Sequence, residues 1–254
     1  MLIPREHGAY GQLLMPLVAA CAVGRPSAAS LSVAALAVSA FLAHEPLLVL
    51  LGQRGLRAAR DQRTEARRSL ILFGIAALAA GVLAVAVLPA PARAASVVPI
   101  GLATVAARLV ATGRERTTIG EILVAVTLTA ASLPTAIAGG ASTRAAVTLT
   151  AVFSAAFASA TLAVRAVIAH STGSSHGPSR RVGATVIMVL WLVLARLATL
   201  GLVASVAPWA AAPVFALALL LLASAPSSQH LRVVGWALVG ATAVTAVVLI
   251  AALR

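Results

Sequence analysis

Nine apolar runs, broken at Gly, Pro and Arg clusters, constrain this chain more than any motif it carries. They cover 8–24, 27–52, 69–90, 95–112, 118–139, 145–169, 182–205, 207–225 and 231–252. A helix needs roughly 20 apolar residues to cross the hydrocarbon of a bilayer. Inside lipid every backbone N–H and C=O must be satisfied within the segment, so uninterrupted runs of this length predict helices. The breaks have turn chemistry: Gly24-Arg25-Pro26, Pro89-Ala90-Pro91, Gly139-Gly140, a Ser/Gly/His/Pro stretch at 171–179, and Pro226. Spans seven and eight are separated only by Ala207-Pro208-Trp209, where the indole suits a membrane interface. A soluble domain has about a quarter of its residues charged. Here the share is 10%, against 61% hydrophobic and a mean hydropathy of +1.04. The expected fold class is therefore all-α: one polytopic membrane domain over residues 1–254, with nine transmembrane helices.

The arginines orient it. Lysine is absent, and all nineteen basic residues are Arg. With the N-terminus inside, the cytoplasmic segments hold Arg5, Arg54, Arg57, Arg60, Arg63, Arg67, Arg68, Arg114, Arg116, Arg180, Arg181 and Arg232. The opposite side holds Arg25, Arg93, Arg144 and Arg254, and Arg108, Arg165 and Arg196 lie within spans. This bias predicts a cytoplasmic N-terminus and an external C-terminus in the inner membrane of a bacterium. A net charge of +13 would suggest nucleic acid in a soluble protein. In a membrane protein, arginine-rich loops that set topology and touch anionic lipid account for it. Cys21 has no internal disulfide partner. Leu17-Val18-Ala19-Ala20-Cys21 resembles a lipoprotein processing site, but Gly11, Gln12 and Pro16 interrupt the run before it and the chain continues into more membrane. The first segment reads as a retained span. No internal repeat is visible.

Ionisable residues within a span cost about 2.5–3.5 kcal/mol on insertion scales and mark functional sites by default. His44-Glu45-Pro46 sits about two turns from the cytoplasmic end of span two. Glu6 and His7 open span one, Glu121 opens span five, and Arg108 and Arg165 lie near the cytoplasmic ends of spans four and six. Only Arg196 lies deeper. This shared depth predicts a cavity open to the cytoplasm. Helical spacing supports a shared inward face that adds small polar residues to these charges: Thr104 and Thr112 with Arg108, Ser154 and Thr161 with Arg165, Thr129 and Ser132 with Glu121, Thr185 and Thr199 with Arg196. Pro134 can bend span five.

Three readings fit this set. Glu45 and Glu121 can neutralise Arg108 and Arg165 as a structural ion-pair network. Arg108, Arg165, Arg196 and Arg5 can hold a phosphate or diphosphate, for which the guanidinium fork is suited. Glu6, His7, His44 and Glu45 can ligate a divalent metal, although neither Glu/His pair has the three- or four-residue spacing of helix-borne metal motifs. His170, His176 and His230 read as solvated loop residues.

Two segments resemble the YwiC-like family of bacterial membrane proteins. One is Pro4-Arg5-Glu6-His7-Gly8-Ala9-Tyr10-Gly11-Gln12; the other is His44-Glu45-Pro46-Leu47-Leu48 with the loop Gly52-Gln53-Arg54-Gly55. More distantly, the chain resembles the UbiA superfamily of intramembrane prenyltransferases. That resemblance implies nine helices, a cytoplasm-facing cavity, and Mg2+ holding an isoprenyl diphosphate at Asp-rich motifs ending spans two and six. The corresponding stretches here are 44–68 and 165–181, and Gly120-Glu121-Ile122-Leu123 resembles the Gly-Glu start of a helix in menaquinone-pathway members. The first stretch holds Glu45, Asp61 and Glu65 without the Asn-Asp-x-x-x-Asp pattern, and the second has no carboxylate. The expected function is modification of an isoprenoid or other anionic-headed lipid, with Glu45, Glu121 and His44 as catalytic groups. A small transporter or carrier, or a non-enzymatic membrane scaffold, is the alternative.

Overall fold

The computed structural model describes residues 1–4, 7–114, 117–172, 179–224, 226 and 230–254. These residues form eleven helices: α1 (His7–Val23), α2 (Ala28–Leu50), α3 (Leu56–Asp61), α4 (Arg63–Val87), α5 (Ala90–Ala111), α6 (Thr118–Ala130), α7 (Ser132–Ala138), α8 (Thr143–Thr172), α9 (Arg180–Thr199), α10 (Ala207–Ser224) and α11 (Leu231–Leu253). Among the described residues, with α6 and α7 taken as one span, eight helices are long and apolar enough to cross a membrane, and Gly8–Val23 is a shorter apolar ninth. The chain is an all-helical, multi-pass membrane protein.

Local chemistry explains most boundaries. Ser27 caps α2 reciprocally with Ser30, each side chain accepting from the other's backbone N–H. Span five breaks at Ala131 because Pro134 has no N–H to offer the Ala130 carbonyl, as its sequence position anticipates. Two boundaries differ from the sequence reading. Span three begins at Arg63 rather than residue 69, since Arg67 and Arg68 stay exposed while Ala66, Ser69 and Phe73 bury a helical stripe. Span seven ends at Thr199 rather than 205. Gly201 takes a left-handed φ of 74°, its N–H reaches the Ala198 carbonyl, and the Leu202 N–H reaches the Leu197 carbonyl, each at 3.0 Å. That is a glycine-terminated helix end, and only glycine adopts that φ without strain.

α8 is the central element, packing on α1, α6, α7, α9, α10 and α11. Its Leu149, Val152 and Phe153 are fully buried, and Phe153 stacks on Phe157 with centroids 5.9 Å apart. α4 packs along α2, and α5 packs along α6 and α7. The two pairs meet at the end away from the arginine clusters, where Ala29, Val33, Ala84, Leu88 and Ala92 cluster with Ile137 and Ala138. At mid-depth Ala34, Ala37, Val38 and Phe41 of α2 still meet Leu13, Leu17, Leu128 and Ala131. Among the described residues no apolar cluster joins α2 to α6 nearer the arginine-rich end.

Candidate functional site

At the arginine-rich end two forked, part-buried guanidinium–carboxylate pairs form among the described residues. Glu45 lies in the last turns of α2. The chain leaves that helix through Gly52, at φ 74°, and returns Arg54 beneath the carboxylate. Arg54 Nε donates to Glu45 Oε1 at 3.0 Å and Oε2 at 3.2 Å, and its Nη2 donates to Oε2 at 2.5 Å. The side chains are 23% and 14% exposed. Glu121 stands in the first turn of α6, whose start is capped by Thr117 accepting from the Gly120 N–H. A carboxylate there faces the positive end of the helix dipole. Arg165 of α8 donates Nε to Glu121 Oε2 at 2.6 Å and Nη2 to Oε1, a forked contact.

Of the ion-pair network expected among Glu45, Glu121, Arg108 and Arg165, the Glu121–Arg165 pair forms, whereas Arg108 is not the partner of Glu45. The partner of Glu45 is Arg54, nine residues on, because the glycine-led reversal delivers a nearer guanidinium. The signal lies in Gly52-Gln53-Arg54-Gly55, where two glycines of positive φ bracket the reversal that returns Arg54. The placing of Arg108 and Arg196 on inward faces is corrected too: both side chains are exposed. α5 packs through Ala92 and the face continuing from it, leaving Thr104, Arg108 and Thr112 outside. The hydroxyls on these outer stripes bond their own helix. Thr104 donates to the Ile100 carbonyl at 2.9 Å, Thr112 to Arg108 at 3.0 Å and Thr199 to Arg196 at 2.8 Å. The two other stripes do turn inward. Thr129 and Ser132 are buried, Ser154, Thr161 and Arg165 are half-buried, and Ser132 and Thr150 hydroxyls meet at 2.9 Å.

A feature absent from the sequence reading lies beside Glu45. Residues 1–4 fold over the ends of α2 and α4. Leu2 buries itself against Val49 and Ala66, its N–H donates to Ser69 Oγ at 2.9 Å, and the Met1 amino group pairs with Glu65. Tyr10 donates its hydroxyl to the Pro4 carbonyl at 3.0 Å and sets its ring edge-on to Phe41 at 5.1 Å. Arg57 engages Asp61 at 3.6 Å on the exposed side of α3.

Arg5, Glu6 and the side chain of His7 lie outside the described residues. His44 is half-buried on α2. Among the described residues no three His, Cys, Asp or Glu side chains come together, and the Glu45 carboxylate is taken by Arg54. The described residues do not fit the paired Mg2+ ions of an Asp-rich diphosphate site. His170 sits in the last turn of α8 rather than in a loop, His176 lies outside the described residues, and His230 immediately precedes α11.

A bundle of hydrophobic spans with charge gathered at one end defines a multi-pass integral membrane protein in a lipid environment. A family model described as YwiC-like protein matches residues 3–138, more than half the chain, and the chain belongs to that family. The matched stretch runs from α1 through α7, so it includes Glu45, Arg54 and Glu121 and stops before Arg165. No curated protein and no solved structure matches the chain.

Proposed function

We propose that this protein modifies an isoprenoid or other anionic-headed lipid, drawn sideways from the bilayer into the arginine-rich, cytoplasmic end of the bundle. The observation that carries this reading is the Arg165–Glu121 pair. It lies among the spans, yet its side chains keep 23% and 42% of their exposure. Exposed ion pairs are worth about 0.2–1 kcal/mol, whereas removing one partner of a buried pair costs about 3–5 kcal/mol. A half-open pair falls between these limits, so a phosphate can displace the carboxylate. Arg165 then holds the head through two charge-assisted hydrogen bonds, and Glu121 is released beside it. Glu45, held in place by the Arg54 guanidinium, is the candidate general base.

A carrier would need the cavity to reach the other face. There the clusters around Ala29, Leu88 and Ala92, and the contact of Gly24 with Gly139, fill the space with carbon and backbone. That supports a one-sided cavity, with the whole chain working as one domain.

The test combines mass spectrometry of co-purified lipids with turnover of labelled isoprenyl phosphates by the detergent-purified protein. Arg165→Gln should lose the bound lipid, and Glu45→Gln should keep it while losing turnover. Full turnover by a folded Glu45→Gln protein removes Glu45 from catalysis. Undiminished lipid on Arg165→Gln removes the headgroup site. Translocation without chemical change in proteoliposomes would establish the carrier instead.

A further inference from the structure

The outward-facing end of α5 carries a second cationic feature, separate from the interior pairs. Val105, Arg108, Leu109, Thr112 and Arg114 line a shallow concavity of about 360 Å³. The helix ends at Ala111, the chain reverses at Gly113, and the Arg114 N–H bonds the Leu109 carbonyl at 2.9 Å. This reversal brings Arg114 back toward Arg108. Among the described residues no carboxylate pairs with either guanidinium, in contrast to Arg54 and Arg165. The Thr112 hydroxyl is committed to the Arg108 and Leu109 carbonyls at 3.0 and 3.1 Å. Two full positive charges outweigh the roughly half negative charge of the helix C-terminus beside them.

We propose that this concavity is a binding site for an anionic phospholipid of the surrounding leaflet. Arg108 lies three residues before the helix end, about 4.5 Å along the axis, and so at headgroup depth. Its aliphatic stem runs over apolar surface while the guanidinium reaches the interface. The phosphate sits between Arg108 and Arg114, and the upper acyl chain lies on Val105 and Leu109. A second copy of this chain is a poor match for the same surface. The described carboxylates, Glu45, Asp61, Glu65 and Glu121, are each engaged within their own chain.

The experiment titrates delipidated protein in mild detergent with phosphatidylglycerol or phosphatidylcholine and counts bound lipids by native mass spectrometry. Wild type should bind phosphatidylglycerol in preference to phosphatidylcholine. R108Q/R114Q should lose roughly 30-fold in that affinity, equivalent to about 1 kcal/mol for each arginine near an anionic surface. The exposed Arg67→Gln variant on α4 should bind as wild type does. If the double variant does not fold, R114Q alone, outside the helix, should lose about 5-fold. Equal binding by the arginine variants, equal binding of phosphatidylcholine, or full competition by inorganic phosphate would each overturn the proposal. So would a cross-link from position 108 to a second copy.

Discussion

Alanine at Gly139 should destabilise this protein more than the loss or gain of one methyl group ordinarily does. A Cβ there would lie 2.8 Å from the Arg25 carbonyl oxygen, 2.9 Å from the Arg25 nitrogen and 3.2 Å from Gly24 Cα. All three are backbone atoms, so no side chain can swing aside. The Arg25 N–H donates to the Gly139 carbonyl at 2.7 Å, and separating the two segments breaks this bond. Gly139 has φ −80° and ψ 0°, which alanine adopts freely, so the penalty is steric and not conformational. Overpacking costs about 1–3 kcal/mol and the lost hydrogen bond about 1 kcal/mol, against a gain of about 0.4–1 kcal/mol from a stiffer unfolded chain. The net loss is about 1–3.5 kcal/mol. At about 2–4 °C per kcal/mol for a chain of this size, the melting temperature in detergent should fall by about 2–14 °C. Tryptophan fluorescence is a suitable probe, because Trp191 Nε1 donates to the Pro208 carbonyl at 3.1 Å. Gly101→Ala is the internal control. Nothing lies within 4 Å of a Cβ there, and alanine in a helix interior should stabilise by up to about 1 kcal/mol. If Gly139→Ala melted at or above the wild-type temperature, the close approach of these two segments would be refuted.

Two buried hydroxyls should respond in opposite directions. Ser159 Oγ is buried without a hydrogen-bond partner, so Ser159→Ala should raise stability by about 1–3 kcal/mol, seen as a higher melting temperature. Thr148 is fully buried, donates to the Arg144 carbonyl at 2.6 Å and accepts the Ala204 N–H at 2.8 Å. Thr148→Val keeps the shape but strands that N–H, so stability should fall by about 1–3 kcal/mol. Hydrogen exchange at Ala204 should quicken, while the α6 amides hold their rates.

Hydropathy made the spans legible because the bilayer fixes helix length, and nothing in the chain disguises it. Boundaries escaped where charge and helix overlap. Arg63, Arg67 and Arg68 looked like loop, but long arginine stems let a helix begin well before its apolar run. The break inside span five was legible from Pro134, because a missing N–H is a covalent fact. The position of each charged residue along its helix was legible, but its azimuth was not. Spacing places Arg108 with Thr104 and Thr112 on one face, yet cannot say which face of α5 meets its neighbours. Arg165 and Glu121 are forty-four residues apart, and only the tertiary packing of α6 on α8 brings them together. The strap of residues 1–4 gave no periodic signal, since it is too short to have one.

The scarcity of carboxylates ties these observations together. Nineteen arginines face six acidic residues, so a surplus of thirteen positive charges remains however the carboxylates are shared. An arginine inside a bundle cannot stay uncompensated, because its desolvation is not repaid by water. Glu121 is accordingly placed on Arg165, and Glu45 on the part-buried Arg54. An arginine on the outer surface near the headgroups carries no such penalty, since water and lipid phosphates solvate it. Arg108, Arg114, Arg67 and Arg68 are of that kind. The two proposals therefore differ in the anion contact they require. On the proposed reading, Arg165 exchanges its carboxylate for a ligand, which makes binding selective and leaves Glu121 released beside the bound head. Surface arginines need release nothing, which suits retention of bulk anionic lipid. A substrate site should consequently depend on Glu121 as well as Arg165, whereas the α5 surface should be indifferent to every carboxylate described.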